Sequence, residues 1–177
     1  MTVDSTTPWI EMKDVSVCAP GDRKPKAAGI NWRLFAGDFW VVGGLHGSGK
    51  SSWINTAAML QRCLEGEHLV GGREISTLSE HDLAAERKRV GLVFDGGGRP
   101  FSRMTVAENV ALPLCYHSDT AIHEVMDEVR LLLHLVGLEG LAERSASTLG
   151  KNTQQRVALA RAIALRPDLL FLDNPLS

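Results

Sequence analysis

The sequence predicts an α/β chain carrying a mostly helical insert. Three observations lead there: short apolar runs with strand character alternate with helical patterns, a glycine-rich loop joins one such run directly to a helix, and helical spacing dominates from about 105 to 150. In order, "WIEMKDVSV", Trp9 to Val17, partly alternates and reads as a half-exposed strand. "CAPGDRKPKAAG" reads as a loop from its prolines, glycines and clustered charge. "INWRLFAGDFWVVGG" reads as a strand, a turn at Ala36-Gly37-Asp38, and a second, more buried strand ending at Gly43. From Ser51, "SSWINTAAMLQRCL" is helical with Trp53, Ile54, Ala57 and Leu60 near one face. "EHLVGGREI" reads as a hairpin turning at Gly71-Gly72, "SEHDLAAERKRV" as a short polar helix, and Gly91 to Phe94 as a buried strand. After the loop "GGGRPFSRM", Thr105 opens a long helical stretch through "VAENVALPL" and "AIHEVMDEVRLLLHLVGL", in which His134 reads as a histidine tolerated in a core. The loop "EGLAERSASTLGKN" then precedes a helix "TQQRVALARAIAL", closed by Pro167 before a terminal strand "LLFLD". Arg156, Arg161 and Arg166 on that helix read as a solvated or interface face.

At 177 residues the chain is long enough for one domain with a sizeable core. A formal net charge of −2 gives no electrostatic case for nucleic acid or an anionic membrane. Cys18, Cys63 and Cys115 are far apart and form no CxxC pair, so neither a disulfide framework nor a zinc site is expected, and a reducing compartment is. The first residues lack the basic and apolar blocks of a signal peptide, and no run reaches the roughly 18 apolar residues of a membrane span. A cytosolic location follows as the expectation, with any membrane role acting through a partner.

Gly44 to Ser51, "GLHGSGKS", fits G-x-x-x-x-G-K-[ST] between an apolar run and a helix. Glycines let backbone N–H groups close around phosphate oxygens, and the helix start adds positive potential. Lys50 would reach the β- and γ-phosphates of a nucleotide and the Ser51 hydroxyl would ligate Mg²⁺. His46, inside the loop, reads either as a sensor of phosphate charge or as a solvated side chain.

With that loop, "VGLVF", "MTVAENVALPL" and "TQQRVALARAIALRPDLLFLDNP" make the chain resemble, from about Trp9 to Ser177, the nucleotide-binding subunits of ABC transporters. The resemblance implies a P-loop NTPase fold: a RecA-like core, an N-terminal antiparallel β-subdomain and an inserted helical subdomain at about 105–150, the whole forming a single domain that is incomplete at its C-terminus. It implies that ATP with Mg²⁺ is sandwiched between two such subunits, as a homo- or heterodimer, whose closure drives a transmembrane permease subunit from the cytoplasmic face. By the same resemblance Gly44, His46, Gly47, Ser48, Gly49, Lys50, Ser51 and Ser52 form the phosphate site, Ser52 standing where Thr is usual. Asp173 matches the carboxylate that holds Mg²⁺, and the segment Gly96 to Arg103, with Arg99 and Phe101, lies where a permease helix docks.

The sequence departs from that pattern where the reaction is performed. Asn174 stands where the family has a glutamate, and Asp95 stands where it has a glutamine that touches metal and water. An amide orients water but takes no proton near neutral pH. Asp95 is therefore a candidate for the missing work, as metal ligand or water-orienting base, against the alternative that both changes mark a hydrolysis-poor site. The family's signature corresponds to Leu149, Gly150, Lys151, Asn152 and Thr153, where Lys151 and Asn152 supply charge and a donor or are simply solvated. The adenine-stacking aromatic is replaced by Ala19 or a neighbour, with only Trp9 nearby, and the family's last motifs do not occur before Ser177, so a fragment is expected. Two functional readings follow: an ATP-hydrolysing transporter subunit, and a nucleotide-gated dimerisation module with little turnover. A small-molecule kinase fits poorly, because no acceptor site is visible.

Overall fold

The computed structural model describes residues 7–96 and 100–175, so Arg99 of the expected docking segment lies outside the described residues. The chain forms two compact units, Met1–Arg87 and Lys88–Ser177.

The first unit is built on an antiparallel sheet in the order β2-β1-β3-β4, with β1 Ile10–Cys18, β2 Pro25–Leu34, β3 Glu65–Val70 and β4 Arg73–Glu74. In β1, Ile10, Met12, Val15 and Val17 are buried, and the alternation is interrupted by a register shift between Met12 and Val15, where Asp14 takes φ 52°. The β3–β4 hairpin turns at Gly71-Gly72 as expected, with Val70 opposite Arg73 and both glycines at positive φ. The turn at Ala36-Gly37-Asp38 also forms: the Asp38 amide donates to the Phe35 carbonyl at 3.2 Å, and the Asp38 carboxylate accepts from the Phe35 amide at 3.0 Å. Helix α1 spans Lys50–Ala57 and α2 spans Glu80–Lys88, the latter started by the Ser79 hydroxyl, which accepts from the Asp82 amide at 3.1 Å.

Three expectations need correction here. The strand β2 begins at Pro25, inside the expected loop, because its residues find ladder partners on β1 as far back as Cys18. The expected buried strand ending at Gly43 is not formed: Phe39 is 90% exposed and Val41 82%, and no strand among the described residues pairs with this run. An apolar run is a strand only if a neighbour completes its ladder. Helix α1 stops at Ala57 and Met59 takes φ 60°, so Leu60 lies outside it, half exposed.

The second unit pairs β5 Val90–Val93 with β6 Leu169–Leu172 in parallel and packs α3 Val106–Ser118, α4 Met126–Leu135 and α5 Lys151–Ile163 around one apolar core. That core centres on Val106, Val110, Val129, Leu133, Leu138 and Val157, all fully or almost fully buried; each such side chain contributes about 1.5–3 kcal/mol relative to exposure. Helix α3 starts with a complete capping box: the Thr105 hydroxyl accepts from the Glu108 amide at 3.1 Å, and the Glu108 carboxylate accepts from the Thr105 amide at 2.7 Å. The long helical stretch is broken at Asp119, which takes φ 51° and caps α3.

His134 is corrected too: it faces outward from α4 and meets Glu139 at 2.6 Å instead of entering the core, which Leu132 and Leu133 fill. The arginines of α5 and its end are not merely solvated. Arg156 donates to the Val136 and Gly137 carbonyls at 3.3 and 3.4 Å, Arg161 lies over the Phe101 ring at 5.5 Å, and Arg166 pairs with Glu128 at 3.0 Å. No helix of the described residues is long and apolar enough to cross a membrane, and the three cysteines are free thiols.

His68 on β3, opposite Met12, is 1% exposed, and among the described residues neither ring nitrogen finds a hydrogen-bond partner. Burial pushes its pKa down from 6.5 to about 4. Above pH 6.5 the ring is neutral in both folded and unfolded chains. As pH falls towards about 4, the unfolded chain takes up a proton that the folded one refuses, so stability drops, in full by on the order of 3 kcal/mol. Urea unfolding at pH 7 and pH 4.5 checks this: His68→Leu should lose about 2 kcal/mol less than the parent between the two, and equal losses would remove His68 as the cause.

Candidate functional site

The glycine-rich loop sits at the head of α1 and is shaped by close approach. Gly49 precedes the helix at φ 94°, and a Cβ there would stand 3.1 Å from Lys26 Cβ and 3.4 Å from Ala27 Cβ, so β2 packs directly against the loop. A Cβ on Gly44 would meet the Ser48 hydroxyl at 2.9 Å, so a side chain there would fill the cradle. The loop folds on itself through the Ser48 amide, which donates to the Leu45 carbonyl at 3.2 Å. The Lys50 ammonium arches back over it, donating to the Gly44 and Leu45 carbonyls, each at 2.8 Å. A cation already held over a ring of backbone is placed to exchange carbonyl oxygens for phosphate oxygens. His46 and Ser51 are exposed, Gly47 takes φ 77°, and Ser52 is buried on the inner side of α1, where its carbonyl accepts from the Thr56 hydroxyl at 2.9 Å.

One feature of this region is not legible from motifs. Trp53, one turn into α1, meets Trp32 of β2 edge-on at 4.7 Å, and Trp40 meets Trp32 at 6.2 Å. The signal available in the sequence is only the presence of the tryptophans, since nothing local pairs residues 32 and 53. Trp9 is buried, with its amide bonded to the Leu34 carbonyl at 2.7 Å, and is not presented for stacking on a base.

In the second unit the carboxyl ends of β5 and β6 bring three expected residues together. The register sets Val93 opposite Leu172, so Asp95 and Asn174 stand two residues beyond the same rung, and the Asn174 amide donates to Asp95 Oδ1 at 3.1 Å. Asn174 takes φ 50°, a left-handed conformation that asparagine accepts more readily than most residues. Asp173 is buried, and its amide continues the ladder to the Val93 carbonyl at 2.9 Å.

The signature positions differ from expectation in form. The helix begins at Lys151, so Lys151, Asn152 and Thr153 are its first turn and Gly150 its cap, without a capping side chain. Gln154 straps the preceding turn down, donating to the Ala146 and Leu149 carbonyls at 3.2 and 3.0 Å. Lys151 and Asn152 are exposed.

A second structural clamp was also not singled out in the sequence. Asn109 of α3, fully buried, donates to the Phe101 and Thr105 carbonyls at 3.1 and 2.9 Å and accepts from the Phe101 amide at 2.7 Å. It fixes Phe101 on the rim of an apolar groove of about 400 Å³ lined by Phe101, Leu112, Pro113, Tyr116 and Arg161. Partial burial lowers the Arg161 pKa from its ordinary value.

The donor set suits a magnesium–phosphate ligand. The Ser51 hydroxyl, exposed at the head of α1, is a hard oxygen of the kind that Mg²⁺ takes alongside phosphate and water.

Comparison with known proteins finds ATP-binding relatives. A family model described as ABC transporter matches residues 27–177. The chain is 37% identical over 170 residues to the methionine import ATP-binding protein MetN of Bordetella avium, covering 95% of this chain and 46% of that protein. It is 42% identical over 148 residues to the MetN of Escherichia coli, covering 84% and 43%. The chain thus spans about half the length of the curated relatives it matches. Among solved structures, the dimeric post-hydrolysis state of the ATP-binding cassette MJ0796 bound to ADP and Pi superposes with a TM-score of 0.84 at 28% identity, covering 94% of this chain and 74% of that one.

The loop geometry makes a direct prediction. Gly49→Ala should cost about 1–3 kcal/mol of stability through the positive φ and the contact with β2, whereas Gly43→Ala, whose Cβ meets nothing within 4 Å, should be near neutral. Thermal melts of the two variants beside the parent give the comparison.

Proposed function

The chain belongs to the ABC transporter family, and from that premise we propose that it is the ATP-binding portion of a transporter subunit that binds and hydrolyses Mg-ATP to drive a membrane permease. The observation that carries the reading is Lys50 arched over the Gly44 and Leu45 carbonyls at the head of α1. In this reading the loop amides and Lys50 hold the β- and γ-phosphates, which fixes the nucleotide and draws off charge as the terminal bond breaks. Ser51 and Asp173 are the residues that would hold Mg²⁺. When bound, the ion neutralises phosphate charge.

The partners follow from the same family. Two subunits, alike or different, would close on ATP, with Leu149 to Thr153 as the face each presents to the other's nucleotide. A first helical turn with amides and the Lys151 ammonium near its start is suited to an anion. The permease would dock in the groove of Phe101, Leu112, Pro113, Tyr116 and Arg161, whose apolar walls and one cation fit an amphipathic helix. That assembly would hold the subunit at the inner face of the cell membrane. A second reading keeps ATP binding and dimerisation but little turnover, favoured by the amide at Asn174.

Calorimetric titration of the full-length protein with ATP and Mg²⁺ tests the first step. The parent should bind, and Lys50→Ala should weaken binding about 100-fold through loss of a charge-assisted phosphate contact; no binding by the parent would end the reading. Co-purification of the subunit with its permease tests the groove: Tyr116→Asp should abolish capture while leaving Mg-ATP affinity unchanged.

A further inference from the structure

We propose that Lys26 of β2 is a second cation of the phosphate loop, which holds the phosphate chain of the nucleotide together with Lys50. This inference rests on the ATP-binding reading above and draws on residues of the first unit alone. In the β1–β2 ladder Val17 is opposite Ala27 and Cys18 is opposite Pro25, so two steps along β2 answer one step along β1, and Lys26 is the extra residue without a rung of its own. Such a residue leaves the alternation of its strand and has its side chain re-aimed, a device found often beside active sites.

The phosphate loop lies directly beside that extra residue. A Cβ on Gly49 would stand 3.1 Å from Lys26 Cβ and 3.4 Å from the Lys26 carbonyl carbon, and β2 is the edge strand of its sheet. Lys26 is exposed, and among the described residues its ammonium has no ion-pair or hydrogen-bond partner. Lys50 differs: it must release the Gly44 and Leu45 carbonyls before it meets a phosphate.

A phosphate seated on the loop amides at the helix start would lie beside the Lys26 stem. The ammonium at the end of that flexible four-carbon stem is a point charge that reaches phosphate oxygens without a fixed approach angle. The connection from Ala19 to Lys24 adds two more cations, Arg23 and Lys24, and no aromatic side chain. This end of β2 therefore offers charge to a phosphate chain rather than a ring to a base. Lys26 acts in binding and enters no bond-breaking step.

The test uses the full-length protein in five forms: parent, Lys26→Met, Lys26→Arg, Lys24→Met and Lys50→Ala. Methionine keeps an unbranched stem against Gly49 while removing the charge, and arginine keeps the charge. Equilibrium affinity is measured for Mg-ATP, and for inorganic triphosphate as its competitor. Lys26→Met should weaken both about tenfold, the loss of one charge-assisted contact. Lys26→Arg should stay within threefold of the parent, a rescue that a purely steric role for the stem would not give. Lys24→Met, which removes an equal charge two residues away, should change either affinity less than twofold.

Three results overturn the proposal while leaving the ATP-binding reading in place. Unchanged Mg-ATP affinity in Lys26→Met, with binding weakened in Lys50→Ala, removes Lys26 from the site. Equal competition by triphosphate in the parent and Lys26→Met, or competition in neither, takes Lys26 off the phosphates. Equal losses in Lys24→Met and Lys26→Met replace a placed cation by a diffuse basic field. Absence of ATP binding in the parent strikes the functional reading itself, and the proposal with it.

Discussion

The second unit depends on the parallel pairing of β5 with β6. Four rungs, from Val90 with Leu169 to Val93 with Leu172, fix which residues emerge side by side at the carboxyl ends. A slip of one residue would turn each strand's side chains to the other face, and Asp95 would no longer lie within reach of Asn174. The pairing joins segments about eighty positions apart in the chain, and the helices between them supply the apolar core. The chemistry at the strand ends is therefore held by packing that contains no polar residue of the site.

The first unit solves a different problem. A phosphate cradle needs backbone at close range with few side chains, so its stability must come from elsewhere. Here it comes from the antiparallel sheet beneath, where Ile10, Met12, Val15 and Val17 are buried and β2 touches the loop at Gly49. The edge-on contact of Trp53 with Trp32 ties α1 to the same sheet. Lys50 keeps its ammonium satisfied by the loop's own carbonyls, which holds the loop closed on itself rather than splayed.

What was legible in the sequence was what local chemistry decides. The Gly71-Gly72 hairpin, the helix start at Thr105 and the turn at Asp38 each need only a few consecutive residues, and all formed where expected. What local pattern missed was decided by distant neighbours. Pro25 joins a strand because β1 offers it a partner, and Phe39 to Gly43 does not because nothing among the described residues does. His134 looked apolar by company but falls on the outer face of α4, a matter of helix phase that one histidine in a leucine run does not reveal. The paired departures from a family pattern singled out Asp95 and Asn174, but their 3.1 Å contact was not anticipated, because it follows from the register of the sheet. Asn109 and its three bonds to the Phe101–Thr105 turn left no trace in spacing that would single out that asparagine.

The exposed run from Phe39 to Leu45 has a consequence for handling the chain. It is free of charge, rich in β-forming side chains, and bounded by Asp38 on one side and His46 on the other. Such a stretch is a template for cross-β self-association between copies, and the flanking carboxylate is the chief gatekeeper against it. Colloidal behaviour should thus hinge on a region remote from the charge balance of the whole chain: precipitation would accelerate with concentration and with loss of the Asp38 charge, however soluble the average composition looks.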